Sequence, residues 1–145
     1  GYQVNFIQDN ESKSMKGVLR GLHYQLPPYA QAKLVRVTEG SVLDVAVDIR
    51  KSSPTFGQHV AVELSAENKL QLFVPHGFAH AFVVLSDNAI FSYKVDNYYA
   101  PEHDRGIAFD DNHLNINWQL PSELLQLSKK DRSHPNLATA KELFE

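Results

Sequence analysis

Apolar and polar residues alternate over short runs along the middle of the chain, with a period of two. In Ser41 to Ile49, the residues Leu43, Val45 and Val47 fall on one side and Asp44, Ala46 and Asp48 on the other. That spacing is what a strand with one face on a core requires. Lys33 to Val37, His59 to Leu64, Gln71 to Val74, His80 to Leu85 and Ala89 to Lys94 also read as strands. Turn signals separate them at Thr38-Glu39-Gly40, Ser53-Pro54, Glu67-Asn68 and Asp87-Asn88. Short strands at even spacing predict an all-β sandwich or barrel. No long helical stripe interrupts them, which disfavours βαβ units. Helix is expected only late: one or two turns over Pro121 to Leu127, with proline at the first position, and a short helix over Thr139 to Phe144.

Composition narrows the class without changing this picture. The 145 residues suit one domain with one full core, and hydrophobic residues at 43% are ordinary for a globular protein. A net charge of −3 gives no long-range attraction to nucleic acid or an anionic membrane. It leaves room for a small anion held by a local Arg, Lys and His cluster. The absence of cysteine removes disulfides, thiol nucleophiles and Cys-ligated zinc together. No apolar run approaches 18 residues, and no signal-peptide pattern is present.

Four constellations carry candidate chemistry. In Gly17 to Gln25 (GVLRGLHYQ), simple alternation puts Gly21, His23 and Gln25 on one face and Arg20, Leu22 and Tyr24 on the other. Spacing alone favours a half-exposed strand with a surface histidine over a site. In Val74 to Phe82 (VPHGFAHAF), His76 and His80 are four apart, but Pro75 and Gly77 argue against a helix, and the HExxH glutamate is missing. A metal site is therefore not expected, and His80 reads as a buried, hydrogen-bonding histidine. Phe91 to Pro101 (FSYKVDNYYAP) holds Tyr93, Tyr98 and Tyr99, which suit core packing, proton donation or stacking on a base. Leu127 to Asp131 (LSKKD) by itself reads as a solvated charged turn.

Taken in order, these segments resemble the dTDP-4-dehydrorhamnose 3,5-epimerase family. The matching runs are FIQDNESKS from Phe6, VLRGLHYQ from Val18, AQAKLVRVTEGSVLDVAVDIR from Ala30, SPTFG from Ser53, LSAENKLQLFVPHGFAHAF from Leu64, YKVDNYYAPEHDRGI from Tyr93 and LSKKD from Leu127. The resemblance spans essentially the whole chain. It implies an all-β, cupin-type jelly roll (a two-sheet sandwich or barrel) with short C-terminal helices. It also implies a single epimerase domain over residues 1–145, starting past the family's N-terminal segment. A cytoplasmic homodimer without metal or other cofactor is expected, with a dTDP-sugar as its partner and neither nucleic acid nor membrane. Within the resemblance, Ala81 stands where Gly is common, Asp104 where Glu is common, Phe109 where Trp is frequent and Gln119 where Pro is frequent.

The implied reaction turns dTDP-4-dehydro-6-deoxy-glucose into dTDP-4-dehydro-rhamnose by inversion at carbons 3 and 5. A hydrogen beside a ketone is weakly acidic, so inversion needs a base on one face, an acid on the other, and donors at the ketone oxygen. An imidazole accepts protons near neutrality, which suits the base role. By family match His23 is that base, Asp131 its carboxylate partner and Tyr93 the opposing acid. Lys33 and His80 match residues suited to the ketone oxygen, and Tyr99 matches the ring that stacks on thymine. Gln8, Asp9, Asn10 and Arg20 match substrate-contacting positions, with Asp104 and Lys130 as further ones. The alternatives are a single-carbon dTDP-sugar epimerase, a non-catalytic jelly roll that binds a nucleotide sugar, and a metal-dependent cupin oxygenase.

Overall fold

The computed structural model describes residues 3–145. Nine strands are present among them: β1 (Gln8–Met15), β2 (Leu19–Gln25), β3 (Lys33–Glu39), β4 (Ser41–Asp48), β5 (His59–Ser65), β6 (Gln71–Val74), β7 (Phe78–Val84), β8 (Asn88–Val95) and β9 (Asp104–Gly106). They form two antiparallel sheets, in the orders β1-β8-β3-β6 and β5-β4-β7-β2-β9. This is the layering that the alternating pattern requires.

The apolar positions divide into two buried layers. Val35, Val37 and Phe91 from the four-stranded sheet meet Val42, Phe82 and Val84 from the five-stranded sheet. On the other face of the five-stranded sheet, Leu43, Val45, Val47, Ala81 and Val83 pack against Trp118, Leu125 and Leu137 of the C-terminal segment. Strand β4 is therefore buried on both faces from Val42 to Asp48. The alternation read from the sequence is correct, but its polar side is not a solvent face. Asp44 lies between the sheets, fully buried. Asp48, at the strand end, accepts bonds from Arg50, Ser53 and Thr55. Burial opposes its ionisation, yet these donors hold the carboxyl well below the usual range.

The chain departs from simple alternation at Gly21. Arg20 pairs with Phe82 and His23 with His80, so β2 spends one residue more than β7 between the two pairs. Such a bulge moves every following side chain to the other face. Arg20 consequently shares the inner face with His23, against the expectation from sequence, while Leu19, Leu22 and Tyr24 join the outer layer. Only glycine fits at the bulge. Its φ is +134°, and a Cβ there would lie 2.3 Å from the Ala81 methyl. The alanine at position 81 thus packs into space that Gly21 leaves.

The late helices also differ from expectation. Over Pro121 to Leu127 only a single 3₁₀ turn forms, at Ser122–Leu124. Past Thr139 the segment to Phe144 is not helical. A 3₁₀ turn at Leu137–Thr139 precedes it, and Phe144 then bridges to Arg50. The charged turn at Leu127 to Asp131 instead starts a helical turn, α1 (Lys129–Arg132), capped by the Ser128 side chain. One residue of that turn, Asp131, is buried.

Candidate active site

A cleft of about 270 Å³ opens between the sheets at one end of the sandwich. Gln8 and Asn10 of β1, Lys33 of β3 and Tyr93 of β8 reach it from the four-stranded sheet. His23 and Gln25 of β2 and Asp104 of β9 reach it from the five-stranded sheet. Tyr99 and Lys130 complete the rim from a loop and from α1. Residues up to 122 positions apart (Gln8 to Lys130) therefore line one cleft, with β1 paired to β8 on one side and β2 paired to β9 on the other.

His23 Nε2 lies 2.6 Å from Asp131 Oδ1. The same oxygen is 3.1 Å from His134 Nε2, and Oδ2 accepts from the Gly21 backbone N–H at 3.2 Å. Burial works against ionisation of Asp131, but bonds from His134, His23 and Gly21 outweigh it, and its pKa falls well below the carboxylate norm. An ionised carboxylate only accepts hydrogen bonds. Each imidazole must therefore donate Nε2–H to it, which leaves the His23 Nδ1 lone pair free. The His23 side chain keeps 33% of its surface exposed while Asp131 is almost completely covered. The imidazole is open and its carboxylate partner is sealed.

Tyr93 comes to the cleft from the opposite sheet. Burial raises its phenol pKa, against a lowering influence from Arg20, so the hydroxyl is protonated at neutral pH. The Lys33 ammonium stands 5.9 Å from the Tyr93 ring centre. Burial lowers the pKa of Lys33, and the negative charges of Asp44 and Asp104 pull it back up. The cleft thus carries an imidazole on one wall, a phenol on the other and a lysine whose burial is countered by the charges of Asp44 and Asp104.

Not every expected residue lies there. Asp9 faces the outside of the four-stranded sheet, where it pairs with Lys94 at 2.8 Å. Alternation along β1 turns it away from its neighbours Gln8 and Asn10. Arg20 lines an adjoining hollow with His23, Asp131 and Lys130. His80 does not line the cleft. It is buried and bonded through Nε2 to Asp44 Oδ1 at 2.7 Å. Burial is the largest influence on its pKa and lowers it, with Asp44 opposing. The neutral ring has its one N–H on Asp44 and offers no donor to a ketone.

Tyr99 is held at the rim by a buried glutamine. Gln25 donates to the carbonyls of Tyr29 and Tyr98 and accepts from the Ala100 N–H. This bracket leaves Tyr99 62% exposed, with its ring open to a flat partner. Lys130 bonds to Asp104, so those two are joined at the same rim.

His134 was not singled out by sequence reasoning. Its readable signal is its spacing, three residues after an acidic residue in a capped turn, which places both on one side. His23, Asp131 and His134 also form a grouping whose ligand atoms lie within 4.8 Å of one another. In this arrangement both imidazole nitrogens are already engaged by Asp131.

A family model described as dTDP-4-dehydrorhamnose 3,5-epimerase matches residues 1–139. The chain is 63% identical over 131 residues to the dTDP-4-dehydrorhamnose 3,5-epimerase of Shigella flexneri, covering 90% of this chain and 71% of that protein. It is similar to the solved structure of dTDP-6-deoxy-D-glucose-3,5-epimerase from Legionella pneumophila Philadelphia 1 in complex with dTDP-4-keto-L-rhamnose. That match has 52% identity and a TM-score of 0.92, covering 97% of this chain and 73% of that one. A 3'-monoepimerase from Streptomyces bikiniensis in complex with dTDP-quinovose is more distant, at 36% identity and a TM-score of 0.85, with 92% and 67% covered.

Proposed function

Because this chain belongs to the dTDP-4-dehydrorhamnose 3,5-epimerase family, we propose that its reaction is carried by His23 and Tyr93 acting from opposite walls of the inter-sheet cleft. The chain is an isomerase of dTDP-rhamnose biosynthesis. It inverts carbons 3 and 5 of dTDP-4-dehydro-6-deoxy-glucose to give dTDP-4-dehydro-rhamnose.

The observation that carries the assignment is the placing of an open imidazole and a protonated phenol on opposite sheets of one cleft. His23 Nδ1 takes the proton beside the ketone, and the C–H electron pair moves into the enolate. Asp131 stabilises the imidazolium that results and fixes the ring's tautomer. Tyr93 returns a proton to the other face, and the carbon is inverted. Lys33 supports the ketone oxygen as negative charge collects there. His80 acts at one remove by holding Asp44, whose charge helps keep Lys33 protonated.

Binding follows from the rim. Tyr99 offers its ring face to the base, and Arg20 and Lys130 suit the diphosphate. Gln8, Asn10 and Asp104 suit sugar or nucleotide hydroxyls. Asp9 has no path to the cleft within one protomer. Assembly as a homodimer and a cytoplasmic location belong to the same proposal. Among the described residues no helix is long and apolar enough to cross a membrane.

The test is incubation with dTDP-4-dehydro-6-deoxy-glucose in deuterated water, followed by NMR of the ring protons. Deuterium is expected at both carbons. His23→Ala should lower the rate of incorporation by about a thousandfold or more, within the range of one general base, with substrate affinity nearly unchanged. Undiminished incorporation in that variant would sink the assignment.

A further inference from the structure

We propose that His134 is a positioning residue for proton abstraction, fixing the Asp131 carboxylate so that His23 presents its free nitrogen in one orientation. The inference rests on the reading of His23 as the base.

Three observations carry it. First, His134 and His23 share one oxygen. Asp131 Oδ1 receives Nε2 of both rings, at 3.1 and 2.6 Å. With Gly21 N–H on Oδ2, the carboxylate is tied at three points, and Ser128 Oγ accepts from the Asp131 backbone N–H to hold the residue at a fourth. Without His134, Oδ1 would have His23 as its one partner, and the pair could rock together. Second, His134 is itself held. Its side chain is 10% exposed, and a Cβ on Gly106 would come within 2.4 Å of its ring. The Pro135 carbonyl accepts the Ala108 N–H at 2.8 Å, tying this turn to the chain that follows β9. Third, the two rings meet edge to face, with centres 5.8 Å apart and planes at 84°. His134 therefore limits the tilt of His23 as well as the swing of Asp131.

A base that must reach a carbon-bound hydrogen loses rate steeply with small misplacement. Removing the His134 donor should reduce kcat and leave KM alone, since His134 does not line the cleft. The experiment compares His134→Phe, His134→Gln and His134→Asn in the deuterium-incorporation assay with dTDP-4-dehydro-6-deoxy-glucose. Phenylalanine keeps the ring without the donor. Glutamine places an amide N–H near the Nε2 position, and the shorter asparagine does not reach it. His134→Phe and His134→Asn are expected to lose about tenfold in kcat, the scale of one hydrogen bond to a charged group. Their KM should stay within about twofold, and His134→Gln should recover most of the loss.

Parental kcat in His134→Phe, or equal losses in the Gln and Asn variants, would overturn the inference. The Gln and Asn pair decides the matter even where His134→Phe does not fold. Loss of incorporation in His23→Ala beside normal rates in all three His134 variants overturns this inference alone. Persistent incorporation in His23→Ala overturns the parent reading instead.

Discussion

The two inward histidine–aspartate pairs of the five-stranded sheet are built from the same atoms at nearly the same distance. His23 and Asp131 are 2.6 Å apart, and His80 and Asp44 are 2.7 Å apart. The two histidines are direct partners across β2 and β7. What separates them is what closes each pair. Asp131 arrives from a C-terminal turn, is saturated with donors and leaves His23 partly open. Asp44 arrives from the middle of β4. Its Oδ2 has no hydrogen-bond partner, and its histidine is sealed. The first pair keeps one imidazole nitrogen available. The second keeps a negative charge near Lys33. One side-chain pairing thus leaves an open imidazole in one place and a sealed carboxylate near Lys33 in the other, and exposure separates the two.

Exchanging the first carboxylate should have the largest effect. In Asp131→Asn the amide can donate to His23 and draw the opposite tautomer, with its proton on the cleft-facing nitrogen. By analogy with other His–Asp pairs, kcat should fall by about a thousandfold or more, while unfolding free energy falls by about 2 kcal/mol, the scale of one hydrogen bond to a charged group. Kinetics and denaturant unfolding on one sample check both halves. A small loss of kcat would mean that the two pairs do not differ as drawn.

Asp44→Ala should show the reverse balance. The buried His80 N–H loses its acceptor and Lys33 loses a compensating charge. Breaking a buried pair of this kind costs about 3 kcal/mol of stability. The rate should fall less than in Asp131→Asn, because Tyr93 and His23 are untouched. Urea unfolding of the variant beside the parent measures the first, and kcat at saturating substrate the second.

The pairs should also separate along pH. The folded pKa of His80 is depressed by burial, so the unfolded chain binds that proton more readily. The stability tied to His80 is fully present above about pH 6.5, its unfolded pKa, and is lost as pH falls below it. The depressed Asp131 follows the same sign lower down. Its contribution is present above about pH 3.9 and is lost below it. Each proton can tilt the stability curve by at most about 1.4 kcal/mol per pH unit. Unfolding of His80→Gln from about pH 7 to about pH 5 should be flatter than the parent, with the acid limb near pH 4 retained. Parallel curves for parent and variant would place His80 outside the titration.

Much of this arrangement is legible in the sequence, and the misses share a cause. The central strands are legible because Leu43, Val45, Val47 and their neighbours alternate against a core. Strand β1 was not read, since its inward positions Gln8, Asn10, Ser12 and Ser14 are polar. Gln8 and Asn10 line the cleft, and no apolar stripe marks the strand. The polar side of β4 was assigned correctly, but its burial was invisible, because alternation separates faces without saying which one meets solvent. Arg20 changed face through the Gly21 bulge, which no periodicity shows. Asp131 entered by resemblance alone, and His134 did not enter, because a capped four-residue turn looks like a solvated loop. The site was hardest to see where function replaces apolar residues with polar ones.

The smallest effect tests whether the two pairs communicate through the strand that carries one of them. Ala81 follows His80 on β7, and its methyl points away from both pairs into the outer layer, against Gly21. Ala81→Gly removes a buried methyl and adds backbone freedom to a strand, costing about 1 kcal/mol. Because Gly21 already provides the space, no neighbour needs to move, and kcat should remain within about twofold. A thermal melt and the exchange assay measure the two quantities. A loss of rate well beyond twofold at intact stability would show that the packing of Ala81 on Gly21 sets the spacing of His23 and His80. The two pairs would then be one device joined through the bulge, and the contrast drawn from their exposure would have to be rebuilt on that contact.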